Sequence, residues 1–161
     1  IMTYAQIQFV KSEAAFKKGD KAIALQAYVA GINGHFDHLS KLTGYKPITA
    51  ADRANFLANA NIVPANPNDL TRSMILMQKF IALYGYGFVE IWVDLLKTKY
   101  DPNVWTGFTF PPTFFPNNGG KPVQRFRPRY NSEYLWNIDA LNKINGFATN
   151  YHTIESWLVN P

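Results

Sequence analysis

A stripe of small residues around one tyrosine constrains the fold of this chain more than any other feature. The stripe follows a Gly19-Asp20 pair and consists of Ala24, Ala27, Tyr28 and Gly31. This spacing puts the four positions on one face of a helix. Small residues allow a second helix to come close, and the ring of Tyr28 fills the groove between neighbours. We therefore expect the stripe to dock against another pair of helices.

Residues 1–42 predict two helices in a hairpin. Lys17 and Lys18 suit the last turn of the first helix because cations complement the helix dipole. Gly19 is suited to end that helix in the left-handed region, and Asp20 to cap the next one. The apolar positions at helical spacing are Tyr4, Ile7, Val10, Ala14 and Ala15 in the first helix and Ala24, Leu25, Tyr28, Ile32 and Phe36 in the second.

The second helix of this hairpin resembles half of a known repeat. The run from Gly19 to Tyr28, with Gly31 three residues later, is similar to the second half of a tetratricopeptide repeat. No second copy follows at the period of about 34 residues that such repeats have. One repeat cannot bury its own face, so we expect partners for the stripe elsewhere in this protein or in a segment outside this chain.

Further helices are predicted in residues 43–99. They span 49–58, 69–84 and 88–99. Thr49 and Asp52 are spaced almost as in a capping box, and Asn68 or Asp69 is suited to cap the longest helix. The apolar face predicted for that helix comprises Leu70, Met74, Met77, Phe80, Ile81 and Tyr84.

The composition changes over residues 100–131, where we expect a long irregular segment. Six of the ten prolines and three of the ten glycines fall there, and no helical period survives. Between Asp101 and Glu133 every charged residue is basic. Loops of this length are uncommon in compact domains and tend to be functional or ordered by their neighbours. Short helices are expected over 132–161, near 132–141 and 151–158.

The predicted class is mainly α, with tetratricopeptide-like helix pairs of an α-α superhelix and a long Pro/Gly-rich irregular segment. The 161 residues are 47% hydrophobic and 17% charged, which indicates a folded chain rather than a disordered one. The chain has no cysteine, which excludes disulfides, zinc–thiolate sites and thiol nucleophiles. No apolar run is long enough to span a membrane. The net charge of +5 indicates only a diffuse affinity for anions.

The histidines and carboxylates do not predict a metal site, and they give only a minor case for catalysis. His35 and His38 are near enough on a helix to share a metal, but no third ligand and no HExxH pattern accompany them. We therefore expect no metal and no cofactor. Glu90 and Asp94 are the one close carboxylate pair with a predictable geometry, whereas a glycosidase needs two carboxylates about 5–10 Å apart across a cleft. Glycoside hydrolysis is kept as an alternative.

A run of alternating basic and aromatic residues lies within the irregular segment. It reads Gln124-Arg125-Phe126-Arg127-Pro128-Arg129-Tyr130. The run fits base stacking with phosphate neutralisation, and it fits a coil that lays arginines over helix ends and carboxylates. We favour the coil because the rest of the chain offers no basic stripe, so no nucleic-acid partner is expected.

The same segment carries rings of the kind that stack on a sugar face. They are Trp105, Phe108, Phe110, Phe114 and Phe115, with Asn103, Asn117 and Asn118 as polar neighbours. Rings in loops are more often anchors that hold the loop in place. From their position in the irregular segment, Trp105, Arg129 and Tyr130 are the candidate ligand-binding residues.

Several stretches together resemble the C-terminal region of SusD/RagB-like outer-membrane lipoproteins of Bacteroidota, in the family's order. They are residues 4–31 with Lys11-Ser12-Glu13-Ala14-Ala15, then Gln78-Lys79-Phe80-Ile81-Ala82-Leu83-Tyr84 with Glu90-Ile91-Trp92-Val93-Asp94, then Arg127-Pro128-Arg129-Tyr130-Asn131-Ser132-Glu133-Tyr134. One departure is Leu95-Leu96-Lys97-Thr98-Lys99-Tyr100, where such proteins often carry two arginines and a glycine before the tyrosine.

This resemblance implies a non-enzymatic protein that captures glycans or other nutrients. Such a protein is lipid-anchored at the extracellular face of the outer membrane and forms the lid of a SusC-like TonB-dependent transporter. The lipid-bearing N-terminal region and most repeat helices would lie outside this chain. No family ligand contact matches a motif here. The matched residues imply a framework in which Glu90 and Asp94 meet arginines of the later segment. A tetratricopeptide-like adaptor for a protein partner is the other alternative, and it predicts an exposed apolar groove on residues 1–42.

Overall fold

The computed structural model describes residues 2–42, 44 and 46–159, and it is mainly helical. The α-helices are α1 (Tyr4–Lys18), α2 (Lys21–Leu39), α3 (Ala50–Ala58), α4 (Arg72–Leu83), α5 (Phe88–Lys97), α6 (Tyr130–Trp136) and α7 (Ile138–Lys143). Short 3-10 turns span Pro67–Asp69, Pro116–Asn118 and Tyr151–Thr153. No strand occurs in the described ranges, so the mainly α class is confirmed.

The chain forms two compact units. The first unit comprises residues 1–95 and 100–107, and the second comprises residues 96–99 and 108–161. Within the first unit, α1 and α2 form the predicted hairpin, and α4 packs against both of them. The second unit contains α6 and α7, which contact each other.

The ends of the hairpin helices follow from local chemistry. Thr3 caps α1 because its Oγ1 accepts a hydrogen bond from the Gln6 amide at 3.2 Å. Gly19 ends the helix in the left-handed region with φ of 91°, as predicted. Asp20 precedes α2, but its side chain makes no capping hydrogen bond. Its carboxylate lies 3.4 Å from Lys18 Nζ instead, so Asp20 takes the predicted N-cap position but its side chain does not cap the helix.

The stripe on α2 is buried against other parts of this same chain. Ala24, Ala27, Tyr28 and Gly31 are all buried. The Tyr28 hydroxyl donates a hydrogen bond to the Ile62 carbonyl at 2.8 Å, and the Ser12 hydroxyl of α1 donates one to the Ala24 carbonyl at 2.8 Å. Partners for the stripe are therefore present within the first unit.

The buried face of α1 differs from the predicted one. Tyr4, Ile7 and Val10 are 60%, 48% and 47% exposed. The buried residues of α1 are Ala5, Gln6, Phe9, Ser12 and Ala15. Phe9 meets Tyr28 edge to face with ring centroids 6.1 Å apart. Close packing against α2 selects small residues and one ring, whereas the prediction followed the larger apolar side chains.

Helix α4 begins later and buries a different face than predicted. Thr71 caps it by accepting a hydrogen bond from the Met74 amide at 3.1 Å. Neither Asn68 nor Asp69 caps it, because both lie in the preceding 3-10 turn. The buried residues of α4 are Ile75, Leu76, Lys79, Ala82 and Leu83. Ile81 and Tyr84, which were predicted to be buried, are exposed, and the buried face instead includes Lys79, which pairs with Asp94.

The second unit is held together largely by side chains that bind backbone carbonyls. Arg125 Nε donates to the Ile154 carbonyl at 2.8 Å, and Arg127 Nη2 donates to the Ala148 carbonyl at 2.9 Å. The helix predicted near 132–141 is divided at Asn137 into α6 and α7. Only a 3-10 turn forms in the predicted segment 151–158.

A partly buried carboxylate links α1 to α4 and makes the first unit sensitive to acid. Glu13 Oε1 lies 3.0 Å from Lys17 Nζ and 3.2 Å from Arg72 Nη2. Burial alone would raise the pKa of Glu13, but the hydrogen bond and charge of Lys17 lower it. The charges of Arg72 and Lys79 act in the same direction, so the net shift is downward.

We expect the ionised Glu13 carboxylate to stabilise the fold at neutral pH. Because its folded pKa lies below the unfolded one, this contribution is complete above the usual glutamate pKa and is lost as the pH falls through the lowered value. Glu13→Gln is expected to lower the free energy of unfolding at pH 7 by about 1–2 kcal/mol. Urea melts at pH 7 and pH 3 measure this; a difference between the two proteins that does not shrink at pH 3 would contradict it.

Candidate functional site

A polar pocket in the second unit is the candidate functional site. Its volume is about 470 Å³, within the range typical of small-molecule sites. It is lined by Lys99, Lys121, Pro122, Gln124, Asn150, Thr153, Ile154 and Glu155. Amines, amides, a hydroxyl and a carboxylate therefore converge on one concave surface.

Two stretches of irregular backbone build the wall of this pocket. The amides of Gln124 and Arg125 both donate to the carbonyl of His152, at 2.8 and 3.3 Å. The Arg125 guanidinium donates to the carbonyls of Ile154 and Glu155 and lies over the Tyr151 ring. These contacts fix the segment around Gln124 alongside residues 151–155.

The side chain of His152 ties the same wall to the turn Pro116–Asn118. Its Nε2 lies 2.6 Å from Asn118 Oδ1, and its Nδ1 lies 3.5 Å from Arg127 Nη2. Because an amide oxygen only accepts, the short contact has Nε2 as the donor to Asn118 Oδ1. His152 thus joins three segments and holds the pocket in shape.

Gln124 is the most informative residue in the pocket. Its side chain is buried, with only 8% of the residue exposed. Its Oε1 has no hydrogen-bond partner among the residues that the structure describes. A buried acceptor without a partner costs about 1–3 kcal/mol. A ligand hydroxyl or N–H group that enters the pocket is the kind of donor that would remove this cost.

The residues predicted from sequence lie in different parts of the molecule. Trp105 belongs to the first unit and is completely buried, which favours the anchoring interpretation of this ring. Arg129 and Tyr130 lie in the second unit at the start of α6. Tyr130 is 77% exposed and stacks on Tyr134 with ring centroids 5.3 Å apart. Tyr130 therefore presents a ring to solvent, whereas Trp105 does not.

Sequence reasoning missed most of the pocket. Gln124 begins the basic and aromatic run that the sequence singled out, but the run gave no reason to choose the glutamine. Lys99, Lys121 and Asn150 are far apart in sequence and are brought together only by the fold. Irregular backbone brings these residues together, and no rule of sequence spacing predicts such an arrangement.

The carboxylates of α5 have two different environments. Asp94 is buried, and its Oδ2 lies 2.6 Å from Nζ of Lys79, which is also buried. Glu90 is exposed. The sequence predicted arginine partners from the later segment for both residues and did not pair Asp94 with Lys79. Arg127 instead binds the carbonyls of Ala148 and Thr149.

The histidine pair shows no metal site. Burial and the charge of His38 lower the pKa of His35. Within the part of the chain that the structure describes, no three histidines or carboxylates are grouped as metal ligands. None of the helices in that part is both long and apolar enough to cross a membrane.

Comparison with known proteins gives no guide to the identity of this chain. No family model, no curated protein and no solved structure matches it.

Proposed function

We propose that this chain is the C-terminal part of a SusD/RagB-like protein that binds glycans or other nutrients without catalysis. The sequence resemblance supports this proposal, as does a helix hairpin whose stripe of small residues is buried within the first unit. On the same grounds we propose a lipid anchor at the extracellular face of the outer membrane. A SusC-like TonB-dependent transporter is the proposed partner.

The unpaired Oε1 of Gln124 is the single observation that best supports glycan binding. Sugars present many hydroxyl groups, each of which can donate to a buried acceptor and accept from a nearby amine. Lys121 and Asn150 provide donors in the same pocket. Binding would use hydrogen bonds and ring stacking, with no covalent step and no cofactor. The exposed Tyr130 ring on Tyr134 offers a stacking face of the type that sugars use.

We expect Gln124→Leu to weaken oligosaccharide binding by about tenfold, the loss of about one buried hydrogen bond. The same change should raise the free energy of unfolding of the ligand-free protein by about 1 kcal/mol, because it removes a buried acceptor without a partner. Calorimetry with an oligosaccharide selected on a glycan array by the wild-type chain measures the first effect. Urea unfolding measures the second.

Gln26→Leu is the matched control, because Gln26 is exposed on α2 in the first unit. This variant should bind the oligosaccharide like the wild type. Unchanged affinity in Gln124→Leu would remove the pocket from the proposal. Release of reducing sugar by the wild-type chain would instead support the glycosidase alternative.

A protein-binding adaptor is a second candidate function, and one observation favours it. Tyr4, Ile7 and Val10 are about half exposed or more on one face of α1. This is the exposed apolar surface on residues 1–42 that an adaptor of the tetratricopeptide type would use.

A further inference from the structure

A cleft in the first unit has a chemistry different from that of the polar pocket. It has a volume of about 410 Å³ and is lined by Thr3, His38, Tyr86 and Glu90. A second cavity of about 320 Å³ shares Thr3 and His38 with it. The start of α1, the end of α2 and the first turn of α5 thus meet around His38.

Two aromatic rings form one side of this cleft. The rings of His38 and Tyr86 have centroids 5.9 Å apart and are tilted by 56°. The Tyr86 hydroxyl donates to the Ala82 carbonyl at 2.6 Å. This bond uses the hydroxyl proton, and Tyr86 remains 45% exposed, so its aromatic surface is available to a ligand.

The charge of the cleft favours a cation. Glu90 contributes an exposed carboxylate from α5. His38 lies in the last turn of α2, where the helix dipole is negative. In the neighbouring cavity, Asp37 is paired with Arg53 at 2.8 Å, and Lys41 is the basic group on its wall. Glu90 is therefore the carboxylate that lines the larger cleft.

We propose that this cleft binds an organic cation of the alkylammonium class. The π face of Tyr86 and the His38 ring contact the alkyl groups around the nitrogen, and Glu90 neutralises the charge. A neutral apolar ligand would gain nothing from the carboxylate, and an anion would be repelled by it. This ligand class is separate from the glycans proposed for the second unit, and neither proposal depends on the other.

Choline and its neutral carbon isostere, dimethylbutanol, test the proposal on the whole chain at constant ionic strength. We expect choline to shift the NMR signals of His38 and Tyr86 and to bind about tenfold more tightly than dimethylbutanol. Equal affinity for the two ligands, or choline-induced shifts confined to other residues, would overturn the proposal.

Two variants complete the test. Glu90→Gln, at an exposed position, should abolish the preference for choline over dimethylbutanol. Asp69→Asn removes the same charge from an exposed site in the first unit that does not line the cleft, and it should retain the preference. If Glu90→Gln keeps the full preference, or if both variants lose it equally, the cleft does not recognise cations through Glu90.

Discussion

Replacing Asp94 by alanine is expected to lower the free energy of unfolding by about 3–5 kcal/mol. The reason is the burial of Lys79, whose side chain is only 7% exposed and lies 2.6 Å from the carboxylate. Without Asp94, the ammonium group remains in a site that excludes water and has lost its ion-pair partner. Urea unfolding followed by circular dichroism measures the change.

The double variant Lys79→Met with Asp94→Leu separates the cost of an orphaned charge from the net value of the pair. Apolar replacements of a buried pair are often neutral or stabilising, so the double variant should recover most of the loss. Asp69→Ala, at an exposed aspartate, serves as the control and should change stability by about 0.5 kcal/mol or less. A small effect of Asp94→Ala would show that water reaches Lys79.

Phe9→Ala is expected to lower the free energy of unfolding by about 3–5 kcal/mol, as much as Asp94→Ala. Phe9 is completely buried between α1 and α2 and meets Tyr28 edge to face. Truncation removes this contact and leaves a cavity that the two close helices cannot fill. Ile7→Ala on the same helix is the control, because Ile7 is 48% exposed and its truncation should cost about 1 kcal/mol or less.

The Phe9 ring also decides whether a substitution at Gly31 raises or lowers the free energy of unfolding. A Cβ atom at Gly31 would lie 2.8 Å from the Phe9 ring, so Gly31→Ala should destabilise the wild type although alanine favours helices. In the Phe9→Ala background the ring is absent, and Gly31→Ala should then raise the free energy of unfolding by up to about 1 kcal/mol. A double-mutant cycle measures the coupling. Additive effects would show that Phe9 and Gly31 do not limit each other.

Some features that depend on local chemistry were predictable from sequence, although the side-chain cap of Asp20 and the cap of α4 were not. Gly19 ends α1, Thr49 and Asp52 form a capping box at α3, and the stripe on α2 is buried. The buried faces of α1 and α4 were not predictable from apolar periodicity. Close helix packing favoured small residues around Phe9, and a buried ion pair put Lys79 on the inner face.

The candidate site depended on tertiary structure much more than the helices did. Irregular backbone around Gln124 and His152 builds the polar pocket, and hydrogen bonds over long sequence separations fix it. The two candidate rings also differ in solvent exposure, which was not predicted from the sequence: Trp105 is buried and Tyr130 is exposed.

The division of the chain between the two units sets the order in which they can be completed during synthesis. Residues 96–99 belong to the second unit, yet the first unit still requires residues 100–107. That returning segment carries the buried Trp105, and Thr106 lies within hydrogen-bonding distance of Ser73 on α4. A nascent chain that stops at residue 95 therefore lacks part of its first unit, and no single cut yields both units intact.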